Sequence, residues 1–237
     1  QPYGMIFGSQ NARNASGQLL INPEVGYPIP LPESQILGNP APKYTVGFTN
    51  TFTYKGFTLS ALLDYRHGGS MFSVTAGSLL LRGQLKSSED REGMRVIPGV
   101  YGDVQTLEPL LVDGKEVPNT IPMSSFQYHF SSNGTGGFGA YGADETNVYD
   151  VTVIRLREVS LGYNIPKSFL NKYVKFLGNL RVSASGRNLW FYAPNMLKGL
   201  NFDPEVLSSF ASSNVQGFDL GAAPSTRRFG INLTTTF

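Results

Sequence analysis

From Tyr44 to Tyr54 the chain alternates with a period of two. Tyr44, Val46, Phe48, Phe52 and Tyr54 share one side, interrupted only by Asn50, and Thr45, Gly47, Thr49, Thr51 and Thr53 share the other. This is the pattern of a strand with one apolar face and one small polar face. Lys55-Gly56 supplies a two-residue turn. Phe57, Leu59, Ala61, Leu63 and Tyr65 then carry the apolar face back, opposite Thr58, Ser60, Asp64 and Arg66, with Leu62 breaking the polar side. The theme returns at Val159, Leu161 and Tyr163, at Leu180, Val182 and Ala184, and at Phe229, Ile231, Leu233 and Phe237. Long strands are therefore expected at about 44–54, 57–67, 150–164, 179–190 and 227–237.

Alternation alone suits a soluble β-sandwich as well as a barrel in lipid. Length and aromatic placement favour the barrel. Eleven residues rising about 3.3 Å each and tilted near 40° climb roughly 28 Å, close to the apolar band of about 25 Å of an outer-membrane barrel. Aromatic residues also stand at both ends of the apolar face, as interfacial girdles do. The connections alternate in length: Lys55-Gly56 and 165–178 are short, whereas 68–149 and 191–226 are long, rich in Gly, Ser, Asn and Pro, and poorly periodic. Short periplasmic turns and long extracellular loops have this arrangement, and it brings the last strand inward, so that Phe237 ends in the periplasm. Five strands cannot close a transmembrane barrel, which needs at least about eight. The expectation is an all-β chain forming the carboxyl-terminal strands of a larger antiparallel barrel.

Composition narrows the function classes. Charged residues make up only 15% of the 237, there is no cysteine, and the net charge is +2. Cysteine-ligated zinc, thiol catalysis and disulfide scaffolds are excluded, and the charge balance offers no broad basic patch for nucleic acid. Mean hydropathy is −0.13. No run approaches the roughly 18 apolar residues of a membrane helix, which leaves β-barrel spans untouched. The chain begins at Gln1, with neither an initiator Met nor a signal-like segment, so a processed or truncated amino terminus is expected.

Several stretches together resemble the SusC/RagA group of TonB-dependent transporters. They are Leu37 to Ser60 with Leu63-Asp-Tyr-Arg-His-Gly-Gly69, Tyr149-Asp150 followed by Arg155-Leu-Arg-Glu-Val-Ser-Leu-Gly-Tyr-Asn-Ile-Pro166, Gly186-Arg-Asn-Leu-Trp190, Phe202-Asp-Pro-Glu205, and Pro224-Ser-Thr-Arg-Arg-Phe-Gly230 with Phe237. The resemblance is collinear and spans most of the chain. His67 and Ser70 sit where the family varies, and 81–147 carries no motif of it. It implies a barrel of about 22 strands in the outer membrane of a Bacteroidetes-type Gram-negative bacterium, with 1–43 as an extracellular segment leading into the strands of 44–237. The plug and the TonB-contacting segment would lie upstream of Gln1. The implied activity is energised import of oligosaccharides or peptides, with a SusD-like surface lipoprotein as lid. The partners are that lipoprotein, TonB through upstream residues, a glycan or peptide ligand and the lipid membrane, with no nucleic acid. No cofactor, metal or catalytic residue is expected. A passive porin-like channel and a soluble secreted β-sandwich binding module are the alternatives.

Individual residues can be weighed against this frame. Gly134 to Gly142 spells GxGxxG in two registers, but lacks the strand before it and the helix after it that a dinucleotide site needs, and reads as a loop. Asn133-Gly-Thr135 spells a glycosylation sequon, relevant only in a secretory pathway. His67 and His129 have no metal-ligand spacing; the first is expected to end a strand and the second to lie in a loop. Asp203 and Glu205, in Asp-Pro-Glu, read as loop-folding residues or as sugar or cation contacts, and their spacing does not make a hydrolytic pair. Trp190, Phe191 and Tyr192 form either an upper aromatic girdle or a ligand- or partner-facing rim beside the segment 68–149. That segment carries five Lys/Arg against nine Asp/Glu, net −4. Arg155, Arg157, Glu158, Arg181 and Arg187 belong to strands at membrane height, where a lipid-facing charge costs about 2–4 kcal/mol, so they are expected to face the lumen. There they would pair with neighbouring strands or plug, or touch ligand. Phe237 is expected to act as the barrel-assembly signal. Strict alternation back from Tyr163 would put Arg157 and Arg155 on the lipid face, so a β-bulge is expected near 157–158.

Overall fold

The structure, a computed structural model, describes residues 4–130, 142–174, 176–197, 199–200, 203–204, 216–221 and 223–236. Its largest unit is a five-stranded antiparallel sheet of β1 (Tyr44–Tyr54), β2 (Phe57–His67), β3 (Val153–Asn164), β4 (Asn179–Tyr192) and β5 (Arg228–Thr236). The strands hydrogen-bond in chain order, an open meander whose edges are β1 and β5.

Register aligns the apolar positions into one continuous face. Phe48 stands opposite Leu63 and Phe52 opposite Leu59. Leu59 faces Leu161, Leu161 faces Ala184, and Ala184 faces Ile231. This face is open rather than packed: Phe52, Tyr54, Phe229, Ile231 and Leu233 are each more than 60% exposed. A contiguous apolar surface of this extent marks a membrane or partner contact, not the outside of a soluble monomer. The opposite face carries Thr and Ser side chains, with Thr51 donating to Ser60 Oγ at 3.3 Å.

The first turn twists correctly because Lys55 and Gly56 both take positive φ, 44° and 86°. Two-residue hairpins of this kind need positive φ at both central positions, which glycine tolerates at no steric cost. The other short connection, 165–178, contains a helix, α1 (Lys167–Tyr173), whose Leu170 is fully buried.

All the long connections leave the opposite end of the sheet, and they pack into a unit of their own. In the 150–164 region the chain does not run as one strand. Val148–Asp150 pairs instead with Ser70–Ser73, which also pairs in parallel with Phe218–Asp219. A tight turn separates the two pieces, with Thr152 N–H donating to Asp150 Oδ1 at 2.7 Å and Gly68 N–H donating to Thr152 Oγ1 at 2.9 Å. Segment 68–149, whose sequence shows no lasting period, holds a helix at Val74–Leu81 and another at Ser125–Phe130, with short paired strands between them. Ser73 caps the first helix by accepting from Ala76 N–H, and donates its hydroxyl to the fully buried Asp219 at 2.7 Å. His129, read from sequence as a loop residue, lies on the second helix and is buried.

Segment 4–43 is woven into the same unit rather than leading simply to β1. Leu20–Ile21 runs parallel to Val100–Tyr101, and Leu20, Ile21, Ile29 and Ile97 are almost wholly buried. Among the described residues the buried apolar core thus lies in the connections, and only Val153, the first residue of β3, belongs to the sheet.

Candidate functional site

The expected break in β3 is present. Leu156 pairs with Leu63 of β2, and Glu158 pairs with Leu62, so Arg157 is an extra residue without a partner in the ladder. The ladder to β4 shifts at the same place. One extra residue reverses the side-chain phase. Ile154 and Leu156 therefore join the apolar face, beside Tyr65 and Leu63, while Arg155 pairs across from Asp64 on the polar face.

The charges gather around this irregularity. Arg157 donates from Nε and Nη2 to Asp64 Oδ2 at 3.0 and 2.7 Å. Arg155, 4% exposed, places Nη2 2.5 Å from Asp203 Oδ1 and Nη1 3.8 Å from Asp64 Oδ2. Arg187 Nε reaches Glu158 Oε2 at 3.0 Å, at a more open position. Arg181 pairs across from Asn164 and lies over Gly162, where an added Cβ would sit 2.7 Å from its guanidinium. Arg155, Arg157, Glu158, Arg181 and Arg187 thus occupy the polar face. Asp203 joins them from the 193–227 connection, whereas Glu205 and Phe237 lie outside the described residues, as do Asn133 and Gly134.

The aromatic trio is split. Trp190 and Tyr192 pair with Leu156 and Ile154 on the apolar face, their rings parallel within 9°. Phe191 pairs with Arg155 on the polar face. At the same end of the sheet Tyr44 packs against His67, with ring centroids 4.9 Å apart, and Tyr65 Oη lies 3.2 Å from His67 Nδ1. Trp190, Tyr192, Tyr44, Tyr65 and His67 therefore form an aromatic band along that end.

Two cavities flank the bulge. One, about 430 Å³, is lined by Arg155, Asn188, Phe191, Asp203, Ser225 and Arg227, among others. Its neighbour, about 370 Å³, is lined by Leu62, Arg157, Glu158, Arg187, Asn188 and Arg228. Asn188 contributes to both and takes the left-handed conformation at φ 53°, with its amide donating to Thr226 O at 3.2 Å. Asp64, Asn188, Arg227 and Arg228 were not singled out from sequence. Asp64 was visible on the polar side of β2, but its role depends on β2 lying beside β3, a pairing that spans nearly ninety residues of unperiodic chain.

No family model matches this chain. Two curated proteins of Formosa agariphila are similar. TonB-dependent receptor P3 is 24% identical over 227 residues, 93% of this chain and 19% of that protein. TonB-dependent receptor P26 is 23% identical over 209 residues, 86% of this chain and 18% of that protein. The chain thus spans about a fifth of the length of these relatives. Among solved structures, the RagAB peptide importer in its open-open state matches with a TM-score of 0.53 at 16% identity, over 98% of this chain and 22% of that one. Its closed-closed state matches at 0.52, over 98% and 23%. The likeness in structure gives the fold alone, a mostly β-stranded chain matching part of the RagAB structures. By these likenesses the chain resembles part of a SusC/RagA-type TonB-dependent receptor.

Proposed function

We propose that the protein containing this chain is a TonB-dependent outer-membrane importer of oligosaccharides or oligopeptides that works with a SusD-like surface lipoprotein. The observation that carries the reading is the two-faced meander. One face is continuous, apolar and exposed, as lipid requires, and the other gathers its arginines and carboxylates around a phase-reversing bulge. In a barrel the second face lines the lumen, so Arg155, Arg157, Glu158, Arg181 and Arg187 are lumen charges that hold strands and loop in place. The end bearing the packed connections is the extracellular side, where 68–149 and 191–226 frame the entrance. Trp190 and Tyr192 act there as the upper aromatic girdle, and Phe191 faces the entrance. Phe237 is the assembly signal in this reading.

The test is uptake by cells carrying the full-length receptor, with and without a functional TonB, using fluorescent oligopeptides and oligosaccharides. Uptake of one class that is lost without TonB supports the reading. Flux of small solutes that is indifferent to TonB would replace it with a passive channel, and recovery of the receptor in the aqueous rather than the outer-membrane fraction would sink it.

A further inference from the structure

Besides the cations already paired, the cavities at the bulge hold two that the network does not use. Arg227 lines the larger cavity and Arg228 the smaller. Among the described residues neither forms an ion pair, whereas Arg155, Arg157 and Arg187 each hold a carboxylate. Arg228 stands directly across from Arg187 in the ladder, so their like charges face one another on the same side of the sheet. Glu158, which also lines the smaller cavity, is held by Arg187 at 3.0 Å and so offsets only one of the two facing guanidinium groups.

The rest of the polar face has the same sign. Its strands carry Arg66, Arg155, Arg157, Arg181, Arg187 and Arg228 and no lysine, against Asp64, Glu158 and the Asp203 that meets Arg155 in the larger cavity, an excess of cations even with all three carboxylates counted. Arginine's planar fork suits bidentate binding of carboxylates, which a point-charge ammonium does not match. Asn188 between the cavities sits in a left-handed conformation that costs a non-glycine residue free energy, and such positions cluster where a side chain is aimed for function. Ser225 adds a hydroxyl and Phe191 an apolar wall to the larger cavity.

We infer that this pair of cavities is a subsite for carboxylate groups on the imported oligomer, with Arg227 and Arg228 as its principal contacts and Asn188 and Ser225 completing it. The inference rests on the importer reading and names its substrate class: acidic oligomers, whether peptides rich in Asp and Glu or glycans rich in uronic acid. Recognition is at contact range, because segment 68–149, net −4, provides no attractive field at the entrance.

The experiment uses the full-length receptor reconstituted with its lipoprotein partner and matched fluorescent ligands. One pair is a hexapeptide with three Asp and the same peptide with three Asn. The other is an oligogalacturonate and its neutral methyl ester. Arg227→Gln with Arg228→Gln is expected to weaken the acidic member of one pair at least about tenfold and leave its neutral partner within about twofold, with Arg227→Lys and Arg228→Lys recovering only part. Which pair responds tells peptide from glycan. The wild type provides an independent arm: its preference for the acidic ligand should shrink as NaCl rises from 50 to 500 mM. Equal loss for acidic and neutral ligands, or a wild type that prefers neither at low salt, overturns the subsite while leaving import intact. A receptor that binds none of the four ligands overturns the importer reading itself, and the subsite with it.

Discussion

Asp203 meets an arginine that water barely reaches, 4% exposed and anchored in β3. Removing one member of a buried pair leaves the other charged and desolvated, which costs about 3–5 kcal/mol. Asp64, 3.8 Å from the same guanidinium, offsets part of this. Asp203→Asn is therefore expected at the low end, about 3 kcal/mol. That would open the 193–227 connection roughly a hundredfold more often, read as faster hydrogen exchange there and at 154–157.

His129 provides the pH dependence. Burial, followed by the nearby Arg95 guanidinium, holds its imidazole below the ordinary histidine value. A depressed folded value means that the unfolded chain takes up the proton first. The stability His129 lends is thus complete above about pH 6.5 and is lost as pH falls below it. The connection unit should loosen between pH 7.5 and 5.5, by hydrogen exchange corrected for intrinsic rates, and His129→Gln should flatten the trend. The sequence showed neither partnership, since Asp203 with Arg155 and His129 with Arg95 are joined by packing across 48 and 34 positions of chain respectively.

At the scale of elements, the bulge at Arg157 was legible because alternation has only two phases. A charged pair at 155 and 157 in register with Leu161 demanded a reversal somewhere between. Deleting Arg157 removes only the extra residue, so β3 should pair without a break while Leu156 stays on the apolar face and Arg155 on the polar face. Inserting one residue between Leu62 and Leu63 instead gives Arg157 a partner in the ladder, abolishes the bulge and turns Arg155 toward lipid and Leu156 toward the polar face. A midplane arginine costs about 2–4 kcal/mol, so the folded, heat-modifiable fraction of the full-length receptor should fall sharply in the insertion variant. Arg157→Ala and the deletion lose only the Asp64 contact and should assemble nearly normally. Equal assembly of the insertion and deletion variants would show that phase is not what the bulge protects.

The hairpin of β1 and β2 was readable residue by residue for the same reason, and the two-residue turn set its register. Helix α1 and the helices of 68–149 were not readable. Each is eight residues or fewer, too short for a period of 3.6 to declare itself, and each is held by contacts distant in sequence. The start of β3 at Val153 rather than near 150 has a similar cause. Val148–Asp150 alternates well enough to extend the strand, but finds a better partner in Ser70–Ser73.

For the molecule as a whole, the long two-faced strands were visible before the connection unit was. A period of two survives in a single sequence, whereas the unit that buries Leu20, Ile21 and Ile97 is assembled from segments some eighty residues apart. The sheet has two unpaired edges and one bare apolar face, so the 237-residue chain expressed alone should partition into detergent and self-associate. Phase separation in a clouding detergent and size-exclusion chromatography would check this, and a monodisperse monomer in plain buffer would count against the membrane-facing assignment.

The division of apolar residues between an open sheet face and a closed core among the connections has a calorimetric consequence. Soluble domains gain about 12–15 cal/mol/K of heat capacity per residue on unfolding, because their buried apolar surface passes into water. Here only the connection unit hides such surface from water by packing, while the sheet's share would rest against acyl chains. In bilayers, melting of the connection unit should give a heat-capacity increment sized to the apolar side chains that unit buries, Leu20, Ile21, Ile29 and Ile97 among them, well short of what 237 residues would give in a soluble protein.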